Sequence, residues 1–418
     1  MADIAPVRPI RALILGLNYA PEPVGIGPYT TGVAEHLART GMVTEVVAAN
    51  PYYPGWRKQP GFTGWKRRRE GGVSVLRCPI YVPATPSGWR RILHHFSFAT
   101  SAFVPILRAA SKRPDFVLVV APSLLSVPVG WLAARLTGAP LWIHVQDFEV
   151  EAAFATGLID QRGMAARLAR RLENLLLKAA DLVSTISLRM ADRLREKGVS
   201  PERIAELRNW SSSAFANGDP AGAAYRAEWG LGDRKVALYS GNIANKQGIE
   251  IIVEAARRLL HRSDLVFVIC GEGPNRANLE ALSAGLDNVR IHDLQPIERV
   301  GDLLALANMH LLPQIAGAAD LVLPSKLANM LASGRPVIAT TAEGSGLAAE
   351  VSNCGLITPP GDPDALAAAI CQLADDDATC ASLGAAARQR ALSHWSREAL
   401  FAEYVKAAKM LARREPDA

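Results

Sequence analysis

The sequence predicts an α/β protein of two doubly wound parallel-sheet domains. Short apolar runs alternate with helical patterns along the whole chain, which is the signature of βαβ layers. The length, 418 residues, suits two or three domains of ordinary size. A polar segment rich in Ser, Gly, Asn and Pro, NWSSSAFANGDPAG, separates two sets of elements of similar plan.

In the first set the expected strands are 12–18, 44–50, 73–80, 116–121, 141–147 and 182–187. The expected helices are 29–39, 89–110, 124–136, 163–180 and 188–197. In the second set the strands are 236–242, 265–271, 289–294, 309–314, 336–341 and 354–360, with helices between them. The predicted organisation is a Rossmann-like domain over 1–208, a linker over 209–222, a second Rossmann-like domain over 223–396, and a last helix within 397–418 that returns to the first. Open parallel sheets bind ligands beyond the carboxyl ends of their strands, so two such domains are expected to face a ligand-binding cleft.

Composition narrows the class. The chain is 49% hydrophobic and 21% charged, a globular balance. Its five cysteines, Cys78, Cys270, Cys354, Cys371 and Cys380, are odd in number and scattered, which argues against a disulfide framework and for a reducing, cytoplasmic setting. No secretory signal is read at the start. The longest apolar region, about 116–145, is cut by Pro122, Pro128 and Pro140 and holds Arg135, so it reads as strand, loop, helix and strand rather than a span. The net charge of +6 is uneven. Residues 1–100 carry twelve Lys and Arg against five Asp and Glu, a net of +7, which leaves −1 for the rest. The excess sits in WRKQPGFTGWKRRRE and SGWRRILHHFSF, beside Trp56, Trp65 and Trp89. A solvated basic loop and an anionic bilayer surface both fit that pattern. Nucleic acid is not an expected partner, since no nucleic-acid motif accompanies the charge.

The chemistry is expected in the second set. YSGNIANKQGIEII places Gly241, Asn242 and Lys246 between a strand and a helix, where glycine admits an anion and the helix start attracts it. ICGEGPNR repeats the arrangement with Gly271 and Gly273. In LVLPSKLANMLASGRP, Ser325 suits a helix cap, while Lys326 opposes the helix dipole unless an anion shares the site. Gly334 suits a left-handed helix end. Three phosphate-friendly loops in one domain describe a diphosphate site and hence a nucleoside diphosphate ligand. The run Asp375–Asp377 reads as a solvated turn, and no Cys/His cluster has ligand spacing, so neither a metal nor another cofactor is expected.

These motifs, taken in order, resemble the GT-B glycosyltransferases of the large retaining family 4, in the branch that assembles colanic acid and related exopolysaccharides. The matching pieces are NYAPE..GIG.YT, NPYYP, WIHVQDFEVEAAF, DLVSTIS, LRNW, GN…K…G, GEGP, LPSKL.N.LASGRPVIA and CGL..PPGDP.AL, over about residues 11–410. The resemblance implies a nucleotide-sugar donor, with a GDP-linked, fucose-like hexose or deoxyhexose favoured by the branch. It further implies a lipid-linked saccharide acceptor at the inner face of the inner membrane, retention of configuration, and no metal. Lys246 matches the family's diphosphate lysine. The usual arginine after the strand glycine is Asn242 here, and Lys326 is its expected replacement. The family's glutamate pair falls on Leu321 and Asn329, with Asp320 adjacent to the first; Asn329 retains an amide for a ribose hydroxyl.

In the first domain, the family's His-Asp pair is Gln146 and Asp147, with His144 two residues before. His144 and Gln146 share one side of the strand and Asp147 the other. Asp147 is expected to orient hydroxyls at the reacting centre, with Lys246 and Lys326 stabilising the leaving diphosphate. An N-cap role for Asp147 remains open. The stretch NYAPEPVGIGPYT lacks the third glycine of a dinucleotide fingerprint, and no acid ends the second strand. Its Gly25 and Gly27 are therefore expected beside the donor, with Glu22, Tyr29, His144 and Gln146 on the acceptor side. Two other readings stand beside transfer: a non-catalytic nucleotide-sugar-binding subunit, and a GT-B nucleotide-sugar epimerase.

Overall fold

The computed structural model describes residues 8–23, 25–85, 88–121, 123–148, 163–211, 222–243, 247–315, 324 and 326–413. The chain divides into two compact units, residues 1–208 with 398–418, and residues 209–397.

The first unit contains β1 (Arg11–Gly16), α1 (Gly27–Arg39), β2 (Val43–Ala49), β3 (Lys66–Glu70), β4 (Val73–Cys78), α2 (Gly88–Ala110), β5 (Phe116–Ala121), α3 (Val127–Thr137), β6 (Leu141–Val145), α4 (Met164–Lys178), β7 (Leu182–Thr185), α5 (Leu188–Glu196) and β8 (Ile204–Glu206). Its eight strands run in the order β3-β4-β2-β1-β5-β6-β7-β8. All pairs are parallel except β3 with β4. β5 and β6 are buried at every position, as continuous Val/Leu/Ile runs must be when helices cover both faces. Gly16 pairs with Ala48 on one side and Val120 on the other, so β1, β2 and β5 end level and their loops share one edge. Pro28 occupies the first turn of α1, where its missing N–H has no partner to lose.

The second unit contains α6 (Ala223–Glu228), β9 (Lys235–Ser240), α7 (Glu250–Arg258), β10 (Leu265–Cys270), α8 (Arg276–Leu282), β11 (Val289–His292), α9 (Val300–Ala305), β12 (Met309–Pro313), α10 (Lys326–Ala332), β13 (Val337–Thr340), α11 (Gly346–Val351), β14 (Gly355–Thr358), α12 (Pro363–Asp375) and α13 (Asp377–His394). Its six strands are parallel in the order β11-β10-β9-β12-β13-β14. Asp376 caps α13 by accepting from the Thr379 amide at 2.9 Å, and Asp375 pairs with Arg262 at 2.7 Å. The acidic run is therefore a helix junction. The last helix, α14 (Arg397–Ala412), packs on the first unit: Phe401 stacks on His36 with ring centroids 4.3 Å apart.

Two strands of the first sheet lie outside the expected set, β3 and the three-residue β8. The stretch read as a basic loop contains β3, an antiparallel edge strand of sequence KRRRE. Its charges protect the sheet edge from further pairing. Arg67 pairs with Glu45 at 2.7 Å, and Arg68 donates to the Gly61 carbonyl at 2.7 Å and lies over the Phe62 ring.

Candidate active site

In the second unit, three chain segments converge beyond the carboxyl ends of β9 and β10. Ser240 pairs with Cys270, so the two strands end together. Their loops then stack. The Gly241 amide donates to the Cys270 carbonyl at 2.9 Å and the Ile243 amide to the Glu272 carbonyl at 2.8 Å. A Cβ on Gly271 would lie 1.9 Å from the Gly241 oxygen, and one on Gly273 would lie 2.1 Å from the Ile243 oxygen. Backbone cannot retreat as a side chain can, so loop stacking alone demands glycine at both positions. The Gly271 amide donates to the His292 carbonyl at 3.0 Å, so it is committed within the chain.

The third segment is α10. Leu327, Ala328, Met330 and Leu331 are buried, while Lys326 and Asn329, three residues apart, share the half-buried face. Lys326 reaches back to β9. Its Nζ donates to the Tyr239 hydroxyl at 2.8 Å and lies 4.2 Å from the Tyr239 ring centroid. A Cβ on Gly241 would meet that same Nζ at 2.6 Å. Gly241 has a backbone conformation (φ +145°) that side chains rarely adopt, and its lack of a Cβ leaves room for the lysine end. Asn242 is exposed, and its carbonyl accepts the Tyr239 hydroxyl at 2.7 Å. Lys246, Ser325 and Asp320 lie outside the described residues.

In the first unit, the loop after β1 is braced rather than open. Glu22 is 3% exposed. Its Oε1 accepts from the Tyr52 and Tyr53 amides at 2.9 and 3.0 Å, and its Oε2 from Asn18 at 2.8 Å. Burial raises its carboxyl pKa despite these bonds. Glu22 therefore ties the first loop to the loop after β2, which corrects its assignment to the acceptor. Arg77, fully buried, reinforces the tie through the Ala20 and Ala49 carbonyls and Glu70. Gly25 is exposed in a left-handed conformation (φ +74°), with the Tyr53 ring beside it. Gly27 opens α1, and a Cβ there would lie 3.2 Å from the Glu22 oxygen. A bulky residue at 27 would therefore disturb the loop's packing as well as any ligand.

His144 and Gln146 also need correction. They are 3% and 5% exposed. His144 Nδ1 lies 2.8 Å from Ser184 Oγ, and its Nε2 lies 2.9 Å from the Gln146 amide and 3.1 Å from the Tyr404 hydroxyl. With Gln146 donating to Nε2, the neutral ring keeps its proton on Nδ1. Burial depresses the His144 pKa to about 3. Tyr29 joins them around one small interior pocket, its phenol pushed up to about 12 by burial. His144 meets α14 through Tyr404, and Gln146 and Tyr29 line the same small pocket. Asp147, half-buried, follows directly after this network at the end of β6.

Comparison with known proteins decides the class. A glycosyl transferase 4-like domain matches residues 24–210, and a glycosyl transferases group 1 domain matches residues 234–376. The colanic-acid biosynthesis glycosyl transferase WcaI of Escherichia coli (strain K12) is 41% identical over 339 residues, covering 79% of this chain and 83% of that protein. The chain belongs to the family 4-like glycosyltransferases. Solved structures agree on the fold. Sucrose-phosphate synthase from Thermosynechococcus elongatus aligns with a TM-score of 0.76 at 18% identity, over 96% of this chain and 99% of that one. HepE of Anabaena, solved in complex with UDP, aligns with a TM-score of 0.69 at 15% identity, over 96% and 100%. Both units of this glycosyltransferase are parallel-sheet domains of the GT-B kind.

The Lys326 ammonium lies beside Gly241, one residue before Asn242. Sequence reasoning missed Tyr239, which looked like one more apolar strand residue. An aromatic two positions before the loop glycine was the available signal.

Proposed function

We propose that this glycosyltransferase transfers a sugar, with retention, from a nucleotide-sugar donor to a lipid-linked saccharide acceptor in exopolysaccharide assembly. The observation that carries the donor half is the Lys326 ammonium held against the β9 loop. A fixed cation at the strand end of a doubly wound sheet suits a diphosphate, whose negative charge grows as the bond to the sugar breaks. Lys246 is the second cation in this reading, and Asn329 the ribose contact. The acceptor hydroxyl attacks the anomeric carbon from the face that the diphosphate leaves, and its proton passes to a departing phosphate oxygen. The lysines supply the charge stabilisation, and the reaction needs no metal and no protein nucleophile. Asp147 orients hydroxyls. UDP is the ligand of the HepE structure; for this chain the similarity to WcaI supports exopolysaccharide assembly, and we favour a GDP-linked, fucose-like donor.

A screen of UDP-, GDP- and dTDP-sugars by thermal shift should single out one donor, and that donor should then release its diphosphate only when a saccharide acceptor is added. Release with water alone would favour the epimerase reading, and binding without turnover across an acceptor panel the binding-subunit reading.

The acceptor half rests on α2. Trp89, Ile92 and Phe96, spaced three and four residues apart, are 66%, 54% and 54% exposed on one face, with Arg90 and Arg91 beside them. An aromatic stripe edged by arginine suits the inner, anionic leaflet of a bilayer. No helix among the described residues is long and apolar enough to cross a membrane. Sedimentation with phosphatidylglycerol-containing vesicles should fall about tenfold for Trp89→Ser with Phe96→Ser; unchanged sedimentation would exclude this face. Charge reversal at Arg67 or Arg68 is a less specific probe, because both bind within the fold.

A further inference from the structure

We propose that Tyr239 is a positioning residue that holds Lys326 at the donor diphosphate. The proposal rests on reading the β9 loop as the diphosphate site, and it adds what makes Lys326 effective there.

A lysine side chain has four rotatable bonds and loses much rotamer freedom when fixed. At the start of α10 it also faces the positive end of the helix dipole, which disfavours a cation. Something must bring the ammonium to the loop and keep it there. Tyr239 does so in two ways. Nζ lies 4.2 Å from its ring centroid, towards the hydroxyl end and within cation–π range. Its hydroxyl accepts from Nζ at 2.8 Å.

The hydroxyl is itself fixed. A phenol has one proton, and Tyr239 gives it to the Asn242 carbonyl at 2.7 Å. The oxygen therefore turns its lone pairs towards the ammonium. Burial raises the phenol pKa far above neutral, so Tyr239 remains an uncharged acceptor and does not cancel the lysine's charge. Tyr239 is fully buried on β9, so the clamp is anchored in a strand rather than a loop.

Gly241 completes the seat, since a Cβ there would lie 2.6 Å from Nζ and push the ammonium away. Asn242 thus has a backbone task in place of a charge: it sets the rotor of the residue that holds the replacement cation. The cation comes from α10, and its clamp comes from the strand preceding the position it replaces.

The test uses the full chain and calorimetric titration with UDP, GDP and dTDP, each beside its monophosphate and nucleoside. Tyr239→Phe keeps the ring and removes only the oxygen. It should weaken diphosphate binding about tenfold, raise the donor KM and lower kcat, while nucleoside affinity and the unfolding midpoint stay unchanged. Lys326→Met should weaken diphosphate binding at least as much, and adding Tyr239→Phe to it should do nothing more. Wild-type diphosphate binding in Tyr239→Phe overturns the proposal. So does an equal loss for the nucleoside, or an additive loss in the double variant. If no diphosphate binds, or if Lys326→Met binds diphosphate normally, the reading of the β9 loop falls first and the role of Tyr239 falls with it.

Discussion

Lys326→Ala is expected to lower turnover by roughly a hundredfold or more, the scale seen when one preorganised charge donor is removed from a developing anion. Stability should change little, by about 1 kcal/mol or less, because the contacts that hold α10 are elsewhere. Leu327, Ala328, Met330 and Leu331 pack into the unit's core, whereas Lys326 lies on the half-buried face. Alanine is also the better helix former and removes a cation from the helix start. Single-turnover rates with the preferred donor, set beside urea midpoints, separate the two effects. Near-normal turnover would show that the diphosphate is neutralised by other groups.

Tyr404→Ala should have the opposite profile, costing about 3–5 kcal/mol of stability in the first unit. Tyr404 is 2% exposed, packs against the Trp142 and His144 rings, and bonds to His144. Its loss leaves a cavity and removes a partner from a buried polar network. The pH dependence identifies the mechanism. A solvated imidazole titrates near 6.5, and burial in the fold takes His144 down to about 3. A depressed histidine contributes stability that is complete above 6.5 and is lost as pH falls towards 3, because the unfolded chain takes a proton that the native one refuses. By pH 5 the loss is about 2 kcal/mol from this residue. In Tyr404→Ala, water reaches the imidazole, its pKa returns towards that of the solvated ring, and this part of the acid slope flattens. Chemical unfolding of both proteins from about pH 7 to pH 5 measures the difference; parallel slopes would refute it.

The strands of both sheets were legible in the sequence because buried parallel strands are continuous apolar runs of a length helices seldom have. β3 and β8 were not: β3 is dictated by pairing with β4 while its residues are all charged, and β8 is only three residues long. The role proposed for Lys326 was legible through an electrostatic conflict: a cation at a helix start asks for an anion. Its holder Tyr239 was not, since a tyrosine in a buried strand looks like core. His144 and Gln146 were placed on the correct shared side of β6, but the side is covered by a residue 260 positions away in sequence. No local pattern announces such a contact. Glu22 failed for a related reason: its partners are backbone amides of Tyr52 and Tyr53, which leave no mark on composition.

The docking of α14 also sets a timetable for synthesis. Residues 209–397 form one unit, while the other needs both 1–208 and 398–418. On the ribosome, the domain that begins first therefore finishes last. Until Phe401, Tyr404 and Leu411 emerge, the His144 network and the apolar bed around it stay uncovered, although the inserted unit is already complete. An early stop near residue 396 would thus damage the half of the protein farthest from it in sequence, and an isolated N-terminal domain would need its C-terminal helix supplied to be soluble.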